Sequence, residues 1–290
     1  MNDVGVAATR YEDRYFTVRD GLKLHYRDYP GDPSKPPLLC LPGLTRNSRD
    51  FAELAERYSP RFRVLALEFR GRAMSEYDPV PARYIPPTYA QDVIELLDQL
   101  AIQQAIFVGT SLGGLVTMAV AVIHPQRIAA AILNDVGPVI NDVGVDRIKT
   151  YVGSGQRFAN WDEAGETIAR NTQAFDNYSH DDWVRMAKRN CREENGEIVF
   201  DYDPAIALPF NTAPSTPTVD LWPFFAALAQ KPLLIIRGAR SDLLSADTLT
   251  KMHAAAPDLR SAVVAGVGHA PDLSEFEAAT AIEDFLSELG

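Results

Sequence analysis

Cysteine is scarce in this chain. Its 290 residues hold two, Cys40 and Cys191, neither in a C-x-x-C pair nor at metal-ligand spacing. That excludes a disulfide framework and a cysteine-ligated zinc site. Cys40 reads as a small buried hydrophobe and Cys191 as an incidental thiol, which fits a reducing, cytoplasmic setting. Positive charge is also short. Lys and Arg number 28 against 39 Asp and Glu, a formal net charge of −11, and no basic run occurs. Such a chain repels phosphate backbones and anionic membrane surfaces, so no nucleic-acid or membrane partner is expected. No run of ~18 apolar residues is present to cross a membrane. Met1 to Tyr15 is polar, mixed in charge and without the apolar stretch of a secretion signal. A P-loop and a metal cluster are lacking, and Gly109-x-x-x-Gly113-Gly114 does not have dinucleotide-binding spacing. No cofactor and no metal are expected.

What is present suffices for one large core. Hydrophobic residues make up 46% and aromatics 9% of the chain. A single α/β domain with an insertion can reach this length, although the usual domain is ~100–200 residues. Tyr15–Val18 and Leu22–Tyr26 alternate around Asp20-Gly21, a hairpin signal. Pro37–Leu41, Phe62–Leu67, Ile106–Val108, Ala129–Leu133, Pro232–Ile236 and Ser261–Val264 are short apolar runs, as strands buried on both faces should be. Helical patterns lie between them: one capped by Asn47 or Ser48 and running to Tyr58, one capped by Thr88, and a last one over Glu275–Leu289. Alternation of this kind predicts an α/β fold, a mostly parallel sheet with helices on both faces. The rhythm breaks between Val139 and Ala226. Arg147–Gln156, Trp161–Phe175 and Asp181–Arg192 look helical there, and a polar run, Asn211–Thr218, leads back to the sheet. The expected organisation is a core of residues 1–138 and 227–290, with residues 139–226 inserted as a helical cap.

The chain is organised around Ile106-Phe107-Val108-Gly109-Thr110-Ser111-Leu112-Gly113-Gly114, a β-branched run ending in Gly-x-Ser-x-Gly with a helical pattern directly behind it. A serine hydroxyl is a weak nucleophile and must stand clear of the backbone where a base can reach it. A tight strand-to-helix turn lifts it there, at the cost of strained dihedrals that flanking glycines accommodate. The base is expected to be His269, in the loop between the last strand and the last helix. His25, His124, His180 and His253 read as structural. Asp242, in the loop after Pro232–Ile236, is the expected orienting acid. Asp135, which ends the strand after the nucleophile helix, is the alternative acid, read otherwise as a turn carboxylate. Charge on an attacked carbonyl oxygen needs preorganised donors, and the backbone N–H groups of Leu44 and Leu112 are assigned to that oxyanion hole.

Together these residues resemble the α/β-hydrolase superfamily, in its capped, serine esterase- and lactonase-like branch, along nearly the whole chain. The resemblance implies an eight-stranded sheet, Ser111, Asp242 and His269 as triad, and Leu44 and Leu112 as oxyanion donors. Two motifs depart from the common pattern. Pro42-Gly43 stands where relatives often have His-Gly, and Glu68-Phe69-Arg70-Gly71-Arg72-Ala73-Met74-Ser75 stands for Asp-x-Arg-Gly-x-Gly-x-Ser, read here as scaffold.

Serine at the turn argues against the branches that attack with aspartate, the haloalkane dehalogenases and epoxide hydrolases. The expected activity is hydrolysis of a small carboxylic ester or lactone through an acyl-serine intermediate. Alternatives on the same triad are a carbon–carbon bond hydrolase and a cofactor-free perhydrolase or lyase, and outside the enzymes a ligand-binding receptor. Ala270 follows His269, where carbon–carbon hydrolases tend to have tryptophan. Residues 139–226 carry fourteen acidic and eight basic residues, a net of −6, and twelve of the 27 aromatics. An acidic lid over an aromatic pocket predicts a preference for neutral over anionic substrates. An inward-facing arginine such as Arg147, Arg185 or Arg189 would oppose it. Oligomeric state is not readable from the sequence.

Overall fold

A computed structural model describes residues 11–172, 175–176, 178–212 and 219–289. Strands β1 (Glu12–Thr17) and β2 (Lys23–Tyr29) pair antiparallel around Asp20-Gly21, with Gly21 at φ +90°. The apolar runs follow as β3 (Leu38–Leu41), β4 (Val64–Leu67), β5 (Ala105–Thr110) and β6 (Ile128–Asn134). Three short strands come next, β7 (Arg157–Phe158), β8 (Cys191–Glu194) and β9 (Glu197–Phe200). The last two are β10 (Leu233–Gly238) and β11 (Arg260–Val264). Eight strands form one sheet in the order β1-β2-β4-β3-β5-β6-β10-β11, antiparallel across β1-β2-β4 and parallel beyond. This is the expected mostly parallel sheet.

The helices are α1 (Ala52–Tyr58), α2 (Pro86–Gln99), α3 (Leu112–Ile123), α4 (Asp142–Lys149), α5 (Trp161–Asn171), α6 (His180–Asn190), α7 (Ala207–Thr212), α8 (Trp222–Leu228), α9 (Ala246–Ala255) and α10 (Phe276–Glu288). Asn47 does cap its helical segment, its side chain accepting from the Arg49 N–H, but the first turn is 3-10 and the α-helix starts at Ala52. Helix α2 begins two residues before Thr88, because Pro86 fits a first turn whose N–H groups have no intrahelical acceptor. Successive residues of the central strands feed opposite layers. Phe107 of β5 packs with Val93 and Leu97 of α2 and Val116 of α3, whereas Ile106 and Val108 pack with Leu54 of α1 and Phe285 of α10. Each side chain so buried contributes roughly 1.5–3 kcal/mol relative to exposure.

Between β6 and β10 the chain leaves the sheet. Helices α5 and α6 enclose a small apolar cluster of their own with Phe158, Ile168, Met186 and Cys191. The expectation that this segment is helical needs correction. β8 and β9 form an antiparallel hairpin closed by Asn195-Gly196, at φ +54° and +83°, and β7 adds a third strand. Asn-Gly between two β-capable runs is a hairpin signal, hidden when the helical pattern of α6 is carried on through Arg192. Cys191 is accordingly a buried strand residue, and burial pushes its thiol up to about 12. Helix α4 lies five residues earlier than the expected start at Arg147, set by Asn141, whose side chain accepts from the Val143 N–H at 3.0 Å. Residues 213–218 of the expected polar connection lie outside the described residues, as do residues 1–10. Trp222 and Phe225 pack α8 onto the main core, so these aromatics are not part of a lid. Among the described residues, no helix is long and apolar enough to cross a membrane.

Candidate active site

Strand β5 ends at Thr110 and helix α3 begins at Leu112, which leaves Ser111 alone in the turn at φ +51°, ψ −113°. A residue with a Cβ is strained by about 1–3 kcal/mol in such a conformation. The crossing of strand and helix is so close that a Cβ on Gly109 would lie 2.6 Å from the Gly113 carbonyl carbon. One on Gly113 would lie 2.1 Å from the Leu41 oxygen. Only glycine fits at either place, so the strained turn is held from both sides.

Ser111 Oγ lies 3.0 Å from His269 Nε2, and His269 Nδ1 lies 2.7 Å from Asp135 Oδ2. A carboxylate on Nδ1 keeps the ring proton there and leaves Nε2 to accept from the serine hydroxyl. Asp135 directly follows β6 and sits at φ +57°, a conformation aspartate tolerates better than most residues. Its side chain is fully buried. Oδ1 accepts the Gly238 N–H at 2.9 Å, and Oδ2 also accepts the Ser241 hydroxyl at 2.6 Å.

Asp242, the acid expected from the sequence, is not on the histidine. Arg147 Nε and Nη2 donate to its two oxygens at 2.6 and 2.9 Å. The loop after β10 explains the exchange. Ser241 turns toward Asp135, while the Asp242 carbonyl accepts the Gly144 N–H at 3.2 Å and the Leu243 carbonyl that of Asn141 at 3.0 Å. These bonds tie residues 242–243 to the start of α4, and the Asp242 carboxylate follows. Burial raises its affinity for a proton, but the Arg147 guanidinium outweighs this and holds the carboxyl below its ordinary range.

The turn after β3 brings Leu44 to the cavity above Ser111, and Leu112 opens α3 immediately after the serine. Among the described residues, neither backbone N–H has an acceptor, so both are available to an oxyanion. The Leu44 peptide is fixed from behind. Arg72, fully buried, donates Nε–H to the Leu44 carbonyl at 2.9 Å and Nη1–H groups to the Arg70 carbonyl and the Tyr89 hydroxyl. Sequence reasoning missed this arginine, because the motif it occupies was read as scaffold and its partner lies 28 residues away.

A cavity of about 130 Å³ opens over Ser111 between the sheet and the inserted segment. Leu44 and Phe51 line it from below, and Ile148, Tyr151, Phe175 and Phe200 from above. Its charged lining is balanced, Arg46 and Arg147 against Asp50 and Asp272. The net acidity of residues 139–226 therefore does not face the cavity. Arg46 is itself bound in two bonds to Asp50, Nε at 2.5 Å and Nη2 at 2.7 Å. The remaining histidines are structural in place. His25 is buried between Glu68 and Asp13, 2.9 Å from each, His180 meets Asp162, His253 meets Ser261, and His124 ends α3.

Residues 36–273 match the family model for the alpha/beta hydrolase fold. A 3-hydroxybutyrate-oligomer hydrolase from Cupriavidus necator is 33% identical over 260 residues, covering 86% of this chain and 87% of that protein. A 2-(acetamidomethylene)succinate hydrolase from Mesorhizobium japonicum is 30% identical over 81% of this chain and 82% of its own length. Among solved structures, an alpha/beta hydrolase from Novosphingobium aromaticivorans is 47% identical, superposes with a TM-score of 0.91, and covers 97% of this chain and 99% of that one. The chain is a hydrolase and belongs to the alpha/beta hydrolase fold family.

Proposed function

We propose that the protein hydrolyses small carboxylic esters through an acyl-serine intermediate, with Ser111 as nucleophile, His269 as general base and Asp135 as orienting acid. The observation that carries this is the unbroken relay from Ser111 Oγ through His269 to Asp135 at 3.0 and 2.7 Å, at the mouth of a cavity walled in part by Leu44, Phe51, Ile148 and Phe200. Ser111 Oγ bonds to the ester carbonyl carbon while its proton passes to His269 Nε2. The carbonyl oxygen takes the negative charge and meets the Leu44 and Leu112 N–H groups. As the carbon–oxygen double bond re-forms, the alcohol leaves with the proton from His269. Water then repeats the sequence on the acyl-serine, His269 taking its proton and returning it to Ser111. Asp135 stays ionised throughout and stabilises the charged imidazole.

The part of residues 139–226 that precedes α8 acts as the lid that closes the cavity, and the substrate reacts without a cofactor. An ester is favoured because the Cupriavidus relative is named for hydrolysis of 3-hydroxybutyrate oligomers, which are esters. A neutral substrate is favoured because both cavity arginines are already neutralised by aspartates in paired bonds, which leaves no uncompensated positive charge for a substrate carboxylate. Turnover of a panel of nitrophenyl esters tests the proposal. The wild-type protein should cleave short acyl esters, and Ser111→Ala should abolish cleavage while the protein stays folded by circular dichroism. Undiminished cleavage by Ser111→Ala would overturn it.

A further inference from the structure

The three members of the relay arrive on separate segments. Ser111 is in the turn after β5, Asp135 just beyond β6, and His269 in the loop after β11. They must be held to a fraction of an ångström, since a displacement of about 1 Å can cost about 10²-fold in rate. The histidine loop has few ties of its own. Val267 is fixed through its carbonyl, which accepts the Arg240 N–H at 2.9 Å, and Asp272 through its N–H, which donates to Glu275 Oε1 at 2.7 Å. Between these points, among the described residues, the backbone of His269, Ala270 and Pro271 makes one hydrogen bond. The Pro271 carbonyl accepts it, at 2.8 Å, from Asn134 Nδ2.

Asn134 is the last residue of β6 and 1% exposed. Its backbone carbonyl accepts the Ser111 N–H at 3.0 Å, and the next residue is Asp135. Its Nδ2 also reaches Thr110 Oγ1, at 3.2 Å, on the residue before the nucleophile. The Pro271 carbonyl can only accept, which turns the NH₂ group toward the loop. Oδ1 is left buried with no donor. The rest of β6 is Ile, Ala and Leu. A buried oxygen without a donor lowers stability, so packing does not account for an amide at this place.

We infer that Asn134 is a positioning residue for the reaction. Its main chain holds the nucleophile turn and its side chain holds the histidine loop, so one residue sets the approach of His269 to Ser111. This rests on the ester-hydrolase proposal above. The amide acts through Pro271 and not on the substrate, so its removal slows the chemical step by one factor, whatever acyl group is bound. Asn134 also lines the cavity, and a direct contact with substrate would leave a different mark. Its loss would change KM and would vary with the acyl chain.

The test is Asn134→Leu, which keeps a similar shape and removes the donors. Steady-state kinetics on nitrophenyl acetate, butyrate and hexanoate should show kcat lowered by roughly 10- to 100-fold, by the same factor for all three, with KM within about threefold of wild type. Fluorophosphonate labelling of Ser111 should slow by a similar factor, although that reagent carries no acyl chain. Asn134→Thr and Asn134→Val supply a second comparison. Both are β-branched and suit a strand, and they differ only in a hydroxyl that can donate toward Pro271. Threonine should recover at least about threefold in kcat over valine, and this pair decides the matter if Asn134→Leu fails to fold by circular dichroism. A kcat within about threefold of wild type in Asn134→Leu, a loss confined to KM, or a loss that differs more than about tenfold among the esters would overturn the positioning role. Equal kcat for the threonine and valine variants, where the leucine variant is unfolded, would do the same. Each of these results leaves the ester-hydrolase proposal standing, whereas undiminished cleavage by Ser111→Ala would overturn both.

Discussion

Replacing Asp135 by asparagine perturbs the hydrogen-bond relay at a single atom. Asp135 Oδ1 accepts from the Gly238 N–H at 2.9 Å, while Oδ2 faces His269 Nδ1 at 2.7 Å. In Asp135→Asn the Gly238 N–H holds the amide oxygen, so the NH₂ group is turned to the histidine. Nδ1 must then accept, the ring proton moves to Nε2, and the Ser111 hydroxyl loses its base. The equivalent change in a serine protease lowers kcat by about 10⁴, or about 5.5 kcal/mol at ~1.36 kcal/mol per decade. A fall of about 10³–10⁴ is expected here. Folding should suffer far less, because the bonds of Gly238 and Ser241 both survive the exchange, the Ser241 hydroxyl serving as donor or acceptor. Asp242→Asn is the matched control. It weakens a pair with Arg147 whose side chains are 13% and 16% exposed, and acts on His269 only through space. Its kcat should fall by less than about tenfold, with the larger effect in KM, since Arg147 lines the cavity. Steady-state kinetics of the two variants on one nitrophenyl ester decide the matter. A loss in Asp242→Asn as large as that in Asp135→Asn would refute the assignment of Asp135.

Three further outcomes follow from other parts of the molecule. Arg72→Met frees the Leu44 peptide that Arg72 Nε holds at 2.9 Å. Loss of one oxyanion donor costs about 10²–10³ in kcat, so loosening one should lower kcat by at least about tenfold with KM little changed, and a pure KM effect would refute the role. Glu68 is buried, which opposes ionisation, yet bonds to His25, Ser48 and the Met74 N–H hold its carboxyl below the ordinary 4.5. A depressed folded-state value contributes stability above about pH 4.5 that is lost as pH falls through it. Denaturant titrations from pH 7 to pH 3 should therefore show a steep acid limb that Glu68→Gln flattens, and an unchanged limb would exclude Glu68 as its source. Finally, matched neutral and carboxylated esters should differ by at least about tenfold in kcat/KM in favour of the neutral one, ~1.4 kcal/mol, at low and high salt alike. Equal turnover would show that the cavity arginines compensate a substrate carboxylate despite their aspartate partners.

How much the sequence disclosed follows from the range of each interaction. The Ser111 turn was readable because its cause is local: a buried strand, a helix, and glycines at 109 and 113 where a Cβ would collide with backbone. The sheet was readable because its central strands are apolar on both faces. The sequence ranks Asp242 above Asp135 as the acid, and the structure reverses that order. Each follows a strand that ends beside the site. The choice depends on which way one loop turns, and that is set by Ser241 bonding Asp135 and by α4 bonding residues 242–243. The role proposed for Arg72 depends on the Leu44 carbonyl, a neighbour that only the fold brings near. The β8–β9 hairpin is a different case. Its Asn195-Gly196 signal stood in the sequence, but the helical periodicity preceding it was carried too far.

The central claim is that Ser111 is the nucleophile and His269–Asp135 its activating pair. It is tested most directly by fluorophosphonate labelling of the folded protein, followed by peptide mapping. The account predicts stoichiometric modification at Ser111, none in Ser111→Ala, and labelling slowed by orders of magnitude in Asp135→Asn but not in Asp242→Asn. Modification of a different serine, or of Ser111 at the same rate with and without the Asp135 carboxylate, would contradict it.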